Sequence, residues 1–103
     1  MTLQDLKTRI EGQGFKYQYG LLEDGTEPPY LCAVISDSQN FVADNVVYKK
    51  IDSIELYYTY RTKSLVNETK IEDNVLYDVV WRKGDEQYLV KENVWQVVYY
   101  FSI

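Results

Sequence analysis

The segment from Val94 to Ile103 constrains the fold more tightly than any other stretch of this chain. Trp95, Val97, Tyr99, Phe101 and Ile103 fall on one side of an extended backbone, and Val94, Gln96, Val98, Tyr100 and Ser102 on the other. Side chains alternate with a period of two along a strand, so a slip of one residue would exchange these two sets. The large apolar set therefore fixes the register. The stretch Ile51 to Tyr60 repeats the pattern, with Ile54, Leu56, Tyr58 and Tyr60 facing one way and Ser53, Glu55, Tyr57 and Thr59 the other. Two strands of this kind require a sheet with one covered face, and the first set should meet helices. Eleven tyrosines and three phenylalanines suit such a sheet, because aromatic rings pack well on pleated, half-buried surfaces.

The rest of the chain supplies what would cover it. Thr2-Leu3-Gln4-Asp5 is a helix start, a threonine cap followed three residues later by an acid. Leu3, Leu6 and Ile10 recur at helical spacing, and Gly12 and Gly14 end the run. Tyr17 to Gly20 has the composition of a short strand. Glu23 to Pro29, with its Asp-Gly pair and double proline, reads as a turn or loop. Tyr30 to Ile35 is apolar on both faces and so predicts a central strand, with Cys32 as a small core residue. Ser36 to Asn40 is a turn cluster. Ser64 or Asn67 can cap a second helix running to about Leu76, with Val66, Ile71, Val75 and Leu76 as its apolar stripe. Tyr77 to Arg82 and Glu86 to Val90 read as strands flanking a hairpin turn at Lys83-Gly84-Asp85, and Lys91-Glu92-Asn93 gives a further break. At 103 residues the chain suits one domain, 1–103. The expected fold class is α+β, an antiparallel or mixed β-sheet with two helices packed on one face.

Chemistry is harder to find than architecture. The chain has no histidine, which removes the commonest general base and the commonest zinc ligand. A single cysteine rules out an internal disulfide and any multi-thiolate site within one chain. Gly12-Gln13-Gly14 is too short for a phosphate loop and follows a helix instead of opening one. Glu23, Asp24 and Glu27 in the proline loop, and Glu72-Asp73 on the second helix, lack the alternating spacing of a calcium loop. A two-carboxylate sugar hydrolase stays open from sequence, although the domain is small for a sugar cleft. Solvated loops and helix faces account for these acids. The expectation is a non-enzyme with no cofactor and no metal.

The formal net charge of −5 disfavours nonspecific nucleic-acid binding, which needs basic patches to displace counterions from phosphates. No run is long and apolar enough to span a membrane, and no basic-then-apolar leader opens the chain, so it reads as cytosolic where it is made.

Just ahead of the alternating stretch Ile51 to Tyr60 lies Asn40 to Ile51, which reads as a projecting loop with internal texture instead of a plain hairpin. Phe41, Val42, Val46 and Val47 are more apolar than a free loop normally carries, and exposed apolar residues usually mark an interface. Asp44-Asn45 either shapes the turn, since both side chains readily bond their own backbone, or takes part in that interface.

The same stretch, Asn-Phe-x-Ala-Asp-Asn-x-Val-Tyr-Lys-Lys-Ile followed by Ile-Glu-Leu-Tyr-Tyr, resembles a family of small proteins from tailed phages and prophages of Gram-positive bacteria. They are described as minor tail, tail completion, tail terminator or head–tail joining proteins. Leu6 to Ile10, Tyr19-Gly20, Gly25 to Tyr30 and Val94 to Phe101 agree in order, so the resemblance spans nearly the whole chain. Asn67 to Lys83 departs most, and Trp81 is out of pattern there. The resemblance implies a structural virion protein of the tail or neck, made in the host cytoplasm, that completes the tail and joins it to the head. It implies a homohexameric ring with the tail tube protein and the head–tail connector as partners, and with DNA passing through without sequence-specific contact. It carries no catalytic residue. It implies a protein-interface role for Phe41, Asp44, Asn45, Tyr48 and Lys49, to which the apolar character of the loop adds Val46. The competing reading is a small acidic prophage protein that binds and inhibits a host protein.

Overall fold

A computed structural model of the chain describes residues 1–20, 26–38, 41–43, 46–49 and 51–103, with 41–43 and 46–49 described by their backbone alone. In chain order the elements are helix α1 (Leu3–Gly12), strands β1 (Lys16–Tyr19), β2 (Tyr30–Ser38), β3 (Phe41–Ala43), β4 (Val46–Lys49) and β5 (Asp52–Tyr60), helix α2 (Leu65–Thr69), a π-helical turn (Lys70–Val75), and strands β6 (Arg82–Lys83), β7 (Gln87–Leu89) and β8 (Val94–Ser102). Six strands form one sheet in the order β1-β2-β5-β8-β6, with β7 also paired to β8. All pairings are antiparallel except β1 with β2, so the sheet is mixed and the fold is α+β.

The alternation of β5 and β8 fixes their register, with Ile54 opposite Phe101, Leu56 opposite Tyr99 and Tyr58 opposite Val97. These six residues are buried on one face, beneath Leu6 and Ile10 of α1 and Ile71, Val75 and Leu76 of the second helical region. Leu31 and Ala33 of β2 extend the same face. Both helical regions therefore lie on one side. The other side of the sheet carries Tyr30, Cys32, Val34, Glu55, Tyr57, Val98 and Tyr100, all half-buried. The Tyr57 hydroxyl donates to Glu55 (2.8 Å), and that bond together with burial pushes the phenol up to about 12.

Helix α1 begins as its sequence predicts. The Asp5 N–H donates to the Thr2 hydroxyl (3.1 Å) and the Thr2 N–H to the Asp5 carboxylate (3.0 Å), two donors satisfied reciprocally. The helix ends before Gly14, whose φ of +88° costs a glycine little. Arg9, near its C-terminus, makes two hydrogen bonds to Asp78 (2.7 and 3.0 Å) and a third to the Val75 carbonyl (3.1 Å). This clamp ties α1 to the end of the π-helical turn, and its hydrogen bond holds the Asp78 carboxyl below the usual range.

The structure departs from the sequence pattern at several points. Strand β2 runs on through the predicted turn to Ser38, with a register shift between Ile35 and Asp37 that absorbs the polar residues. Gln39 and Asn40, like Glu23 to Gly25, lie outside the described residues. Cys32 sits half-buried on the open face instead of in the core, because its neighbours Leu31 and Ala33 take the inward positions. Val66 is 67% exposed, and the second helix turns Glu68, Ile71, Val75 and Leu76 inward. The widening from an α to a π turn at Lys70 resets which positions share a face.

The sheet edge differs as well. Lys83-Gly84-Asp85 is no hairpin turn, since β6 and β7 both pair with β8 as successive pieces of one interrupted edge strand. Tyr77 to Val79 are turn and bend, and Trp81 packs edge-on against Tyr99 at 5.7 Å between ring centres. Gly84 stays in the ladder, donating its N–H to the Val98 carbonyl at 2.7 Å. A Cβ at Gly84 would lie 2.7 Å from Val98 Cγ1 and 3.1 Å from the Tyr100 ring. Valine is too short and stiff to swing aside. Gly84→Ala is therefore expected to destabilise the fold by about 1–3 kcal/mol, read as a lower midpoint in urea at unchanged m-value.

Candidate assembly interface

The stretch expected to be a textured loop is a hairpin. β3 and β4 pair antiparallel in a two-stranded sheet of their own, separate from the six-stranded one. Val42 stands opposite Val47, Ala43 opposite Val46 and Phe41 opposite Lys49. The physical reason is visible in the composition: β-branched residues flank an Asp-Asn pair, the turn chemistry a short hairpin uses. Texture survives as a register shift between Phe41 and Val42, which leaves Tyr48 as the extra residue on β4. Of the predicted interface residues, Phe41, Val46, Tyr48 and Lys49 thus come together on one arm, whereas Asp44 and Asn45 lie outside the described residues.

The arm leaves the sheet at one end, where Ser38 pairs with Asp52 and Ser53 with Ser102. At the opposite end, where Tyr60 meets Trp95 and Tyr88, the surface is apolar in a way the sequence did not suggest. Leu65 is 72% and Val90 79% exposed, joined by Val66 and by the partly exposed Tyr88 and Trp95. Tyr88 and Trp95 pack at 5.2 Å between ring centres, and the Tyr88 hydroxyl donates to Asn93. Asn93 has a φ of 55°, the left-handed conformation that asparagine tolerates in a tight turn.

A cluster of charges pins this end together. Glu68 on α2 is 3% exposed, and Lys63 (2.8 Å) and Lys83 both ion-pair with it. Lys63 also reaches Glu86, and Lys83 reaches Glu72 at 2.9 Å. The Tyr99 hydroxyl donates to the same Glu72 at 2.7 Å. The network joins α2 to the interrupted edge strand and to β8. Burial pushes the Glu68 carboxyl up, but the bonds from Lys63 and Lys83 outweigh it and hold the group below its ordinary 4.5. Those bonds raise Lys63, and for Lys83 they overcome the opposing effect of burial. Burial and the neighbouring Glu86 push the Tyr60 phenol up to about 12. Sequence reasoning missed Glu68 because an acid in a solvated helix face is the ordinary case; the nearby lysines Lys63 and Lys83 come from separate elements.

Two concavities complete the surface. One, of about 320 Å³, lies on the open face between Tyr57, Arg82, Gln87, Gln96 and Tyr100. Arg82 covers the Tyr100 ring there, 4.2 Å from its centre. The other is a broad groove of about 700 Å³ beside the arm end, with Ile54, Val79, Val80, Trp81 and Phe101 among its walls. Both are shallow, and neither gathers groups that suggest a reaction. No helix among the described residues is long and apolar enough to cross a membrane. The chain matches no protein-family model and no curated protein.

Because the folded state lowers the Glu68 value, its stabilisation is complete above about pH 4.5 and drains as pH falls through the folded value. The raised lysines contribute below their ordinary 10.5 and lose that contribution as pH climbs through their folded values. Stability should therefore be flat between about pH 5 and 10. Glu68→Gln should shrink the acid limb and leave the share that Asp5, Asp78 and Glu86, also held below their ordinary values, contribute. Its cost at neutral pH should be about 2–3 kcal/mol, at the low end for breaking a buried pair, because both lysines still reach water. Thermal melts of both proteins from pH 3 to 11 would show it.

Proposed function

We propose that this chain is a phage or prophage tail-completion protein, a structural subunit that closes the tail and joins it to the head as a ring. The observation that carries this reading is the arm. The stretch bearing the family resemblance, Asn40 to Ile51, is also the one whose strands pair outside the main sheet. A two-stranded hairpin is marginal in water unless something covers it. A neighbouring subunit does so wherever subunits assemble. The partners are then further copies of the chain, the tail tube protein and the head–tail connector, and no catalytic step is involved.

Passive DNA passage through an acidic lumen draws no support from the charges. Among the described residues, acids lie on α1 (Asp5, Glu11), on the π-helical turn (Glu72, Asp73), on the open face (Glu55) and at the far turn (Glu92), so no single rim collects those acids.

Light scattering coupled to size exclusion, with and without purified tail tube protein, tests the proposal. The chain should form a closed oligomer, at least on the tube. The double variant Phe41→Ser, Val46→Ser should keep its far-ultraviolet circular dichroism and lose that assembly. A chain that stays monomeric and ignores the tube overturns the reading. Unfolding of the double variant would instead assign the arm to the core of the monomer.

A further inference from the structure

The apolar end of the sheet is unexplained by the monomer, and the molecule itself carries something that fits it. We propose that Leu65, Val66, Tyr88, Val90 and Trp95 form the seat for the β3–β4 arm of a second copy. The inference rests on the ring reading and deepens it by naming the surface that the arm meets.

Distance decides first that the contact joins two molecules. The arm leaves beside Asp52, and the seat lies beyond Tyr60, at opposite ends of the nine-residue β5. Nine residues of strand span roughly 30 Å. Strands the length of β3 and β4 reach only about 10–13 Å at the same rise. An arm cannot reach its own seat, so any arm–seat contact is intermolecular.

Composition decides what suits the seat. It presents two aliphatic side chains, Leu65 and Val90, more than two-thirds exposed, beside a Tyr–Trp pair. Aromatic anchors flanked by aliphatics are the composition of interface centres. The arm brings Phe41, Val42, Val46 and Val47. Charge agrees in sign. By sequence the stretch 41–50 carries Lys49 and Lys50 against Asp44, while exposed Asp85 and Glu92 flank the seat, opposed there by Lys91. Arg61 and Lys63 at the same end are already paired, with Glu27 and with Glu68 and Glu86. The seat is also held in shape, since Lys63 ties the helix bearing Leu65 and Val66 to Glu86, next to β7.

Cross-linking reads the contact directly. In a Cys32→Ser background, Val42→Cys and Val90→Cys are placed on separate proteins, mixed, and treated with a short bis-maleimide. A cross-linked heterodimer is expected from the mixture, and little product from either protein alone. The chain carrying both cysteines should give a ladder that stops at the ring. Leu65→Asp with Val90→Asp, both at exposed positions, should weaken self-association at least about tenfold with an unchanged circular dichroism spectrum. Arm-to-arm products without arm-to-seat products would overturn the proposal. So would a ring that survives the double aspartate variant, or an absence of cross-links even with tail tube protein present. Arm-to-seat products from a chain that does not bind the tube would leave this contact standing and remove the tail reading instead.

Discussion

The pairing of β5 with β8 is the interaction on which the rest of this structure depends. β5 is hydrogen-bonded on both sides, to β2 and to β8, and β8 in turn carries both pieces of the edge strand. Every buried strand residue beneath the helices takes its position from this register. A shift of one residue would send Leu56 and Tyr99 to the open face and bring Glu55 and Tyr100 under α1 and the π-helical turn. Tyr99 is where the apolar and polar halves of the interior meet. Its ring packs against Trp81, Lys83 Nζ lies 5.6 Å above it, and its hydroxyl reaches Glu72. Burial and Glu72 push that phenol well above its ordinary value, so it stays protonated and donates.

The charge cluster explains why a short, irregular helix can hold its place. α2 alone is only five residues, too short to persist without tertiary contacts. Apolar packing fixes its continuation through Ile71, Val75 and Leu76, but its first turn exposes Leu65 and Val66. What anchors that turn is Glu68 between two lysines. A buried ion pair contributes little net stability against an apolar alternative, yet it is strongly directional. Here the direction matters, because Lys63 and Lys83 approach from the loop after β5 and from the sheet edge. The cluster therefore sets the angle at which the apolar end is presented, a role that leucine packing at position 68 would not reproduce.

Much of this was legible in the amino-acid pattern, and the parts that were not share a cause. The faces of β5 and β8, the capped first helix and the single-sided helical layer follow from periodicity, which is local. The parallel partner β1, the split edge strand and the inward turn of Glu68 depend on contacts between distant segments. Gly84 carries the ordinary signal of a turn; only its closeness to Val98 reveals a strand position. Val66 lies five residues before Ile71, about 140° round a regular helix, so it fits the apolar stripe poorly, and the π turn that follows has no marker in the sequence. The arm illustrates the same limit. Its apolar residues point to an interface and its Asp-Asn pair to a turn, but the flanking strands are only three and four residues long, too short for alternation to mark them as paired.

The form of the sheet edges bears on how copies of this chain can associate. Sheets commonly aggregate by adding strands at an open edge, and proteins blunt those edges with short strands, bulges and lysines. Both edges here are blunted in that way. β1 has four residues and begins with Lys16, while the opposite edge is interrupted at Asp85 and Glu86 and carries Arg82 and Lys83. At β2, the Ile35 N–H beyond β1 is taken by the Tyr19 hydroxyl (3.2 Å). Continuation of the main sheet from copy to copy is thus disfavoured, and the two ends of the strands offer another route. Those ends are chemically different, an arm at one and an apolar seat at the other, so a contact between them is head-to-tail. Repeated head-to-tail contacts close into a ring when the rotation between copies divides a full turn, and otherwise run on as a filament. A rigid seat keeps the angle constant from joint to joint, which either kind of assembly requires. The buried Glu68 and its lysines supply that rigidity.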